Sequence, residues 1–269
     1  PIYAGAAEAI RTRIGAAIGA SLRGIKPGSA EAARVKDLLI AEGLWSQYLE
    51  VGIGPDAEIF TKSQPMAPVG WGADVGLHPV SRWNNPEPEV VLAVDSRGRI
   101  KGATLGNDVN LRDVEGRSAL LLGKAKDNNA SAAIGPFLRL FDAGYGLDDV
   151  RRAELTLRVE GTDGYVLDGR SSMDQISRDP ADLVAQAIGR HHQYPDGFML
   201  YLGTLFAPTQ DRDAPGQGFT HHPGDVVTIS EPSLGALVNI VRLSTECPPW
   251  EFGAGALMRN LAGRGLLGA

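Results

Sequence analysis

The chain has 269 residues, of which 43% are hydrophobic and 22% charged, an ordinary composition for a globular protein with one large domain. The formal net charge is −6 and there is no run of lysine and arginine, which argues against nucleic acid or an anionic membrane surface as a partner. No apolar stretch approaches the roughly 20 residues that a membrane helix needs, and the single cysteine, Cys247, excludes an internal disulfide.

The N-terminal region is predicted to be helical. Apolar residues recur at helical spacing over residues 5–20. A second helix is predicted to begin after Ser29, its N-cap, and to end at Gly43. We therefore divide the chain into a helical N-terminal segment, residues 1–57, and a catalytic domain, residues 58–269.

Strand patterns dominate from Glu89 onward, after a loop rich in Gly and Pro. An apolar strand ends before a tight turn at Gly98, and a return strand follows. The further predicted elements are a hairpin at 151–169, a helix at 178–193 with Asp179 as N-cap, a strand at 196–206, a strand–turn–strand unit at 221–243 and a helix at 256–267. This order predicts an α+β fold dominated by sheet, not an alternating α/β fold.

Three acidic residues are predicted to meet at the open end of the first hairpin. Glu87 and Glu89 lie on one face of a strand, because residues i and i+2 point the same way. A two-residue loop places Glu87 opposite Asp108, whereas a three-residue loop places it opposite Asn107. Either register brings three carboxylates close together, which destabilises a sheet unless a cation neutralises them.

Two interpretations of this cluster remain open at this point. An all-oxygen donor set favours hard ions such as Mg²⁺, Mn²⁺ or Ca²⁺ over zinc. Alternatively, the carboxylates form a solvated edge, each in water or paired with a lysine or arginine. The five histidines lack metal-ligand spacing and are predicted at the surface or at helix ends, and no nucleophile elbow or P-loop is present.

Residues 106–137 are polar and rich in Asn where a core element would be apolar. They include the candidate groups Arg112, Glu115, Lys124 and Lys126. A lysine near a cation and shielded from water has a lowered pKa and can act as a base. For any one of these lysines, a solvated surface position is the common alternative.

Five segments in this order resemble the fumarylacetoacetate hydrolase superfamily: PEPEVVLAV, GNDVNLRDVEG, GKAKDNNASAAIGPF, DGFMLYLGT and HHPGDVVTIS. The resemblance covers residues 58–240. It implies a mixed, mainly antiparallel β-roll with peripheral helices, and a homodimer or homotetramer. It also implies that Mg²⁺ or Mn²⁺ is held by Glu87, Glu89 and Asp108.

Within this superfamily, residues 112–137 resemble the 2-keto-3-deoxy-arabinonate and 2-keto-3-deoxy-xylonate dehydratases more than the C–C bond hydrolases. The RDVEG run and the AKDNN segment carry this finer resemblance. The hydrolases use a histidine near the N-terminus to activate water, and this sequence has none before His78, which argues against hydrolysis. The dehydratases have a longer N-terminal region, which implies a truncated start at Pro1.

The implied reaction is loss of water from a 2-keto-3-deoxy-pentonate, which gives 2,5-dioxopentanoate. A divalent cation would stabilise the enolate that forms when a C3 proton leaves. Lys126 is expected to assist that proton transfer, as base or as enolate-stabilising cation, and Glu115 to protonate the departing C4 hydroxyl. Thr204, Lys62 and Arg112 are expected to contact the substrate.

Two alternatives to this function stay open. One is a hydrolase or decarboxylase of the same superfamily that acts on acylpyruvates or oxaloacetate by the same enolate chemistry. The other is a non-enzymatic protein whose carboxylates bind a structural cation. The main expectation is a cytoplasmic enzyme of pentose catabolism whose partner is a small 2-oxo acid, with no nucleic acid or membrane partner.

Overall fold

The computed structural model describes residues 24–267 except 205 and 207, together with the isolated residues Thr12 and Ala16. The helix predicted over residues 5–20 therefore lies outside the described residues, apart from those two. Within the described part, no helix has both the length and the apolar character needed to cross a membrane.

Helices lie in the N-terminal region, between strands and near the C-terminus. They are α1 Ala30–Ala41, α2 Gln47–Ile53, α3 Arg112–Glu115, α4 Leu122–Lys126, α5 Leu147–Arg151, α6 Pro180–Ala187 and α7 Ala254–Gly263, with 3-10 turns at Ala119–Leu121 and Met173–Gln175. The strands are β1 Asp74–Leu77, β2 Pro88–Val94, β3 Ile100–Asp108, β4 Ala132–Leu140, β5 Glu154–Glu160, β6 Val166–Ser172, β7 Phe198–Tyr201, β8 Val226–Glu231 and β9 Gly235–Leu243.

These strands form two packed sheets. One has the order β1-β9-β8-β5-β6, with β1 and β9 parallel and the other neighbours antiparallel. The other has the antiparallel order β4-β3-β2-β7. Strands β2 and β3 pack against β5 and β8, and their facing apolar side chains form the main core. The structure confirms the predicted α+β class, with mainly antiparallel sheet and peripheral helices.

The two central strands differ in how they are buried. Strand β5 alternates strictly, with Leu155 and Leu157 in the core and Glu154 exposed, as period-two patterning requires. Strand β2 is buried at every position. Its Val90, Leu92 and Val94 enter the core, so Glu89 faces the opposite side, where a cleft lies.

The N-terminal region has a small apolar cluster of its own, which includes Val35 and Leu39 of α1 and Ile53 of α2. Helix α1 begins as predicted, since Ser29 Oγ accepts a hydrogen bond of 3.1 Å from the Ala32 amide. The chain leaves this helix through Gly43, whose φ of +65° favours glycine. The boundary proposed at residue 57 stays a prediction.

Arg178 connects this helical region to the main body. Its buried guanidinium donates hydrogen bonds of 2.8–3.1 Å to the carbonyls of Val51, Gly54 and Asp56, at and beyond the C-terminal end of α2. Carbonyls at a helix C-terminus lack intrahelical donors and favour a nearby cation. The guanidinium therefore satisfies three backbone acceptors that the helix itself leaves open.

Replacing Arg178 by Ala is expected to loosen residues 29–54 from the sheets. Loss of charged hydrogen bonds to three backbone carbonyls should weaken docking by a free energy of roughly 2–4 kcal/mol. Hydrogen–deuterium exchange should rise in α1 and α2 and stay unchanged in β5 and β8. Exposed Arg170, replaced by Ala, is the control. Equal exchange in both variants would contradict the role of Arg178 in holding α1 and α2 to the main body.

The helix predicted over residues 178–193 is shorter in the structure. Helix α6 begins after Asp179 as predicted, but it ends at Ala187 because Ile188 takes an extended conformation (φ −129°, ψ 137°) and packs against the core. The amide of Gly189 then donates to the carbonyl of His192 (2.9 Å), which closes a turn where helix was predicted.

The predicted surface position of the histidines is wrong for His221, which is 5% exposed. Its Nδ1 lies 3.0 Å from Asp225 Oδ2, and Asp225 also accepts hydrogen bonds of 2.6 and 2.8 Å from Arg212. Burial lowers the pKa of His221 although the Asp225 carboxylate acts in the opposite direction. The Asp225 carboxylate thus gives the ring of this interior histidine a hydrogen-bond partner. Cys247 is also buried.

Candidate metal centre and active-site cleft

Of the two loop lengths considered for the first hairpin, the structure has the three-residue loop. The amide of Asp95 donates to the carbonyl of Arg99 (3.0 Å), which leaves residues 96–98 as the loop. Gly98 has a φ of +75°, the left-handed conformation that this turn needs. At the turn, therefore, the longer loop is confirmed.

The open end of the hairpin nevertheless has the register of the shorter loop. The pairing shifts between Ala93 and Val94 because Lys101 is inserted on the return strand, as in a β-bulge. Beyond the shift, Pro88 pairs with Asn107. The amide of Asp108 donates to the carbonyl of Glu87 (3.1 Å), so these two acidic residues lie opposite each other.

The three predicted carboxylates come together at this end. Glu89 lies on the cleft side of β2, Asp108 ends β3, and Glu87 immediately precedes β2. One carboxylate oxygen from each residue lies within 4.8 Å of those of the other two. Glu89 and Asp108 are buried and Glu87 is half-buried.

Glu89 is the member of the cluster that lacks a cationic partner. Its Oε2 accepts a hydrogen bond of 2.7 Å from the amide of Gly203, and it forms no ion pair within the described part of the chain. Burial, together with the charges of Asp108 and Glu87, raises its pKa well above the ordinary value. A buried carboxylate in this position requires a proton or a bound cation.

Lys126 lies among the carboxylates on one side of the cluster. Its Nζ is 2.6 Å from Glu87 Oε2, 3.2 Å from Asp108 Oδ2 and 3.9 Å from Glu115 Oε1. Burial alone would lower the pKa of Lys126, but these carboxylates outweigh it and hold the pKa above its usual value. For Glu87, burial raises the pKa to about 7, although the charge of Lys126 acts in the opposite direction.

Lys62 is buried on the other side of Asp108. Its Nζ lies 2.9 Å from Asp108 Oδ1 and donates to the carbonyl of Val109 (3.0 Å) and to that of Lys126. Burial lowers the pKa of Lys62 despite the charge of Asp108. The ion pair with Asp108 and the two carbonyls thus engage the ammonium group inside the protein, and its predicted contact with substrate stays a prediction.

The donor set fits a hard divalent cation. All three side chains offer carboxylate oxygens, the ligands that Mg²⁺ and Mn²⁺ prefer. The burial of Glu89 and Asp108 does not agree with the solvated-edge alternative. Two lysines pair with Asp108 and Glu87, as that alternative also allowed, but Glu89 has no such partner in the described residues. Glu87, Glu89 and Asp108 would hold the ion.

A cleft of about 1690 Å³ runs along this face of the β4-β3-β2-β7 sheet. Apart from Lys124, which is exposed and does not line it, its walls include every residue that the sequence nominated for the site: Glu87, Glu89, Asp108, Lys126, Glu115, Thr204, Lys62 and Arg112. The structure therefore brings all of them into one cleft. Their individual roles stay predictions.

Arg112 and Thr204 lie where a ligand in the cleft could reach them. The Arg112 guanidinium carbon is 4.6 Å from the centre of the Trp83 ring, and no carboxylate of the described residues pairs with it. Thr204 Oγ1 accepts a hydrogen bond of 3.2 Å from the amide of Phe206. Within the described part of the chain, each group keeps donor capacity for a ligand.

Two residues of the cleft were missed from the sequence, Asn110 and Glu58. Asn110 Nδ2 donates to Glu87 Oε1 (2.9 Å) and to Glu115 Oε2 (2.7 Å). Burial and the charge of Glu115 raise the pKa of Glu58. The Asn-rich pattern after Asp108 was a signal for Asn110, whereas no local pattern distinguishes Glu58 from a surface glutamate.

Comparison with known proteins agrees with this geometry. A family model described as "Fumarylacetoacetate (FAA) hydrolase C-terminal" matches residues 60–242, most of the chain. The chain belongs to this family. The match confirms the resemblance inferred over residues 58–240.

Two curated relatives carry dehydratase names. The chain is 29% identical over 194 residues to the "Probable 2-keto-3-deoxyxylonate dehydratase" of Haloferax volcanii, with 72% of this chain and 63% of the relative covered. It is 29% identical over 188 residues to the "2-dehydro-3-deoxy-D-arabinonate dehydratase" of Saccharolobus solfataricus, with 69% and 58% covered. The alignments thus span less than two thirds of each relative.

Solved structures of the fumarylacetoacetate hydrolase type share the fold. A 2-keto-3-deoxy-D-arabinonate dehydratase complexed with magnesium and 2,5-dioxopentanoate superposes with a TM-score of 0.63 at 29% identity, covering 74% of this chain and 66% of that one. The protein Cg1458 superposes with a TM-score of 0.54 at 19% identity, covering 67% and 68%. The predicted β-roll of this family is confirmed.

Proposed function

We propose that the chain is a metal-dependent hydro-lyase that removes water from 2-keto-3-deoxy-pentonates and gives 2,5-dioxopentanoate. The observation that carries the proposal is the buried cluster of Glu87, Glu89 and Asp108 beside Lys126. The relatives that align with this region are named for the same reaction. A structural relative is described with magnesium and 2,5-dioxopentanoate.

Arg112 is proposed to receive the carboxylate of the substrate. A planar guanidinium binds a carboxylate through two parallel hydrogen bonds, and stacking on Trp83 fixes its plane. Lys62 and Lys126 already pair with carboxylates, whereas Arg112 forms no ion pair within the described residues. Thr204 is proposed to orient the same end of the substrate.

Glu87, Glu89 and Asp108 are proposed to hold Mg²⁺ or Mn²⁺. When bound, the cation supplies Lewis-acid stabilisation of the negative charge that develops on the 2-keto oxygen as the C3 proton leaves. Lys126 adds a second positive charge beside this oxygen. Its contacts with Glu87 and Asp108 keep it protonated, which favours the enolate-stabilising role over the base role.

Two carboxyl groups of the cleft, Glu115 and Glu58, are proposed to move the protons. One proton leaves C3, and one is delivered to the C4 hydroxyl, which departs as water. The raised pKa of Glu58 favours the protonated form that such a donor needs. Glu115, the donor suggested by the sequence, is then available for the C3 proton. Loss of the C3 proton and the C4 hydroxyl leaves a C3=C4 double bond. A C5 proton then leaves and a proton returns to C3, which gives the 4,5-enol, and this enol tautomerises to the aldehyde.

Proton NMR tests the proposed function directly. Purified protein with Mg²⁺ and racemic 2-keto-3-deoxy-pentonate is expected to give a new aldehyde or aldehyde-hydrate signal that EDTA suppresses and added Mg²⁺ restores. An unchanged spectrum from protein with bound metal would contradict the proposal. Acylpyruvates and oxaloacetate would then be tested as substrates of a hydrolase or decarboxylase.

The predicted homodimer or homotetramer and the predicted cytoplasmic location stay predictions. Size-exclusion chromatography with light scattering measures the first of these.

A further inference from the structure

Asn110 is a buried amide beside the acidic cluster that the proposed reaction does not yet use. It is 2% exposed and lies two residues beyond Asp108, at the end of β3. Its backbone pairs with Asn85 in an antiparallel bridge, through hydrogen bonds of 3.1 and 3.0 Å in the two directions. The main chain therefore fixes where this side chain begins.

Chemistry fixes which way the amide group of Asn110 points. Nδ2 donates to Glu87 Oε1 at 2.9 Å and to Glu115 Oε2 at 2.7 Å. A carboxylate accepts and does not donate, so a flipped amide would set Oδ1 against two other oxygens. Both amide hydrogens are thus committed to acidic side chains.

This orientation of the Asn110 amide reduces the stability of the protein, because it leaves the carbonyl oxygen without a donor in the described part of the structure. Oδ1 is buried and has no hydrogen-bond partner among the described residues. A buried acceptor without a donor destabilises a protein, and such groups are rare unless the position serves another purpose. The two donated hydrogen bonds are the only contacts of the side chain, within the described part, that explain an amide at this position.

Asn110 and Lys126 contact opposite oxygens of the same two carboxylates. Glu87 presents Oε1 to Asn110 and Oε2 to Lys126 Nζ, the latter at 2.6 Å. Glu115 presents Oε2 to Asn110 and Oε1 towards Lys126 Nζ, at 3.9 Å. Four side chains thus form a closed ring, and each carboxylate is held at two points.

We propose that Asn110 is a positioning residue that orients the metal ligand Glu87 and the proton-transfer group Glu115 relative to Lys126. The inference rests on the proposed function, because it takes Glu87 as a ligand and Glu115 as a participant in proton transfer. Residues that donate to a ligand carboxylate fix its orientation before the ion arrives. Metal affinity should therefore depend on the Asn110 amide even in the absence of substrate.

Titration of the substrate-free protein with Mn²⁺, followed by electron paramagnetic resonance of the free ion, tests the proposal. Asn110→Ala is expected to weaken Mn²⁺ binding by about 10–100-fold, the usual effect of losing a partner of a metal ligand. Asn85→Ala is the matched control. Asn85 has the same 2% exposure and shares the bridge, but its Nδ2 donates to the carbonyl of Pro86 and not to a carboxylate. This control should bind Mn²⁺ with the affinity of the unmodified protein.

Asn110→Asp separates positioning from charge. It is nearly isosteric, but an ionised Asp cannot donate to Glu87 or Glu115, and it adds a negative charge near the site. If orientation governs affinity, this variant should also bind Mn²⁺ more weakly than the unmodified protein. Tighter binding would show that charge dominates and would overturn the proposal.

A purely structural role gives a different result. In that case Asn110→Ala and Asn85→Ala would lower the melting temperature alike while the Mn²⁺ affinity of the folded protein stayed unchanged, and the proposal would fail. Weaker Mn²⁺ binding in Asn110→Ala alone supports the proposal even if no sugar acid is dehydrated, so the two failures are distinguishable. Absence of Mn²⁺ binding by the unmodified protein would overturn both.

Discussion

Replacing Glu89 by Gln is expected to abolish Mg²⁺ binding and turnover while the fold stays intact. Glu89 is buried between Glu87 and Asp108 and has no ion pair in the described residues, so its charge is available to a bound ion. Gln is isosteric and can still accept the hydrogen bond from the Gly203 amide. Turnover should fall by about a thousand-fold or more, which corresponds to about 4 kcal/mol of transition-state stabilisation.

Thermal unfolding with and without Mg²⁺ measures the binding effect of Glu89→Gln without a substrate. Mg²⁺ at roughly 100 times its Kd should raise the melting temperature of the unmodified protein by about 5–10 °C. The variant should show no rise. Exposed Glu154 of β5, replaced by Gln, is the control and should keep the full response. Full activity in Glu89→Gln would contradict the proposal that Glu89 is a metal ligand.

The same substitution has a predictable effect on the metal-free protein. Burial and the neighbouring carboxylates raise the pKa of Glu89 well above 4.5 in the folded state. A carboxyl whose pKa is raised on folding contributes stability at low pH that is lost as the pH rises through the folded value. Since Gln does not ionise, the metal-free variant should be at least as stable as the unmodified protein at pH 8.

Replacing Lys126 by Met is expected to remove activity without removing the metal. Turnover should fall by about 10²–10³-fold, the usual contribution of one group that stabilises a developing oxyanion. Lys126 contacts both Glu87 and Asp108, whereas Lys62 pairs with Asp108 alone among the described residues. Without it, the carboxylates lose a competing positive charge, so Mg²⁺ should bind at least as tightly as before.

Lys126→Met and Glu89→Gln should therefore differ in their response to Mg²⁺. The rise in melting temperature should be larger than normal in Lys126→Met and absent in Glu89→Gln. Lys124, which is exposed and two residues away, provides the control when it is replaced by Met. Loss of the Mg²⁺ response in Lys126→Met would mean that the lysine organises the carboxylates before the ion binds, contrary to this expectation.

Local patterns in the sequence were sufficient for much of the fold. The alternation of β5, the N-caps Ser29 and Asp179 and the turn at Gly98 lie where periodicity and capping rules predict them. The strand β4 was not predicted. Its first residues are small and its later ones are largely exposed, so it has no clean alternation. The end of α6 was missed because Ile188 leaves the helix to pack against the core.

The sequence by itself nominated most residues of the candidate site, although not Asn110 or Glu58. The spacing of Glu87 and Glu89 and the resemblance of the following segments nominated side chains that the structure places in one cleft. Tertiary structure decided how these groups are engaged. Lys62 reaches the carbonyl of Val109, 47 residues away, and Asn110 binds Glu87, 23 residues away. Such contacts depend on which loops pack together, and burial then sets the charge state of each group, so no local pattern in the chain encodes them.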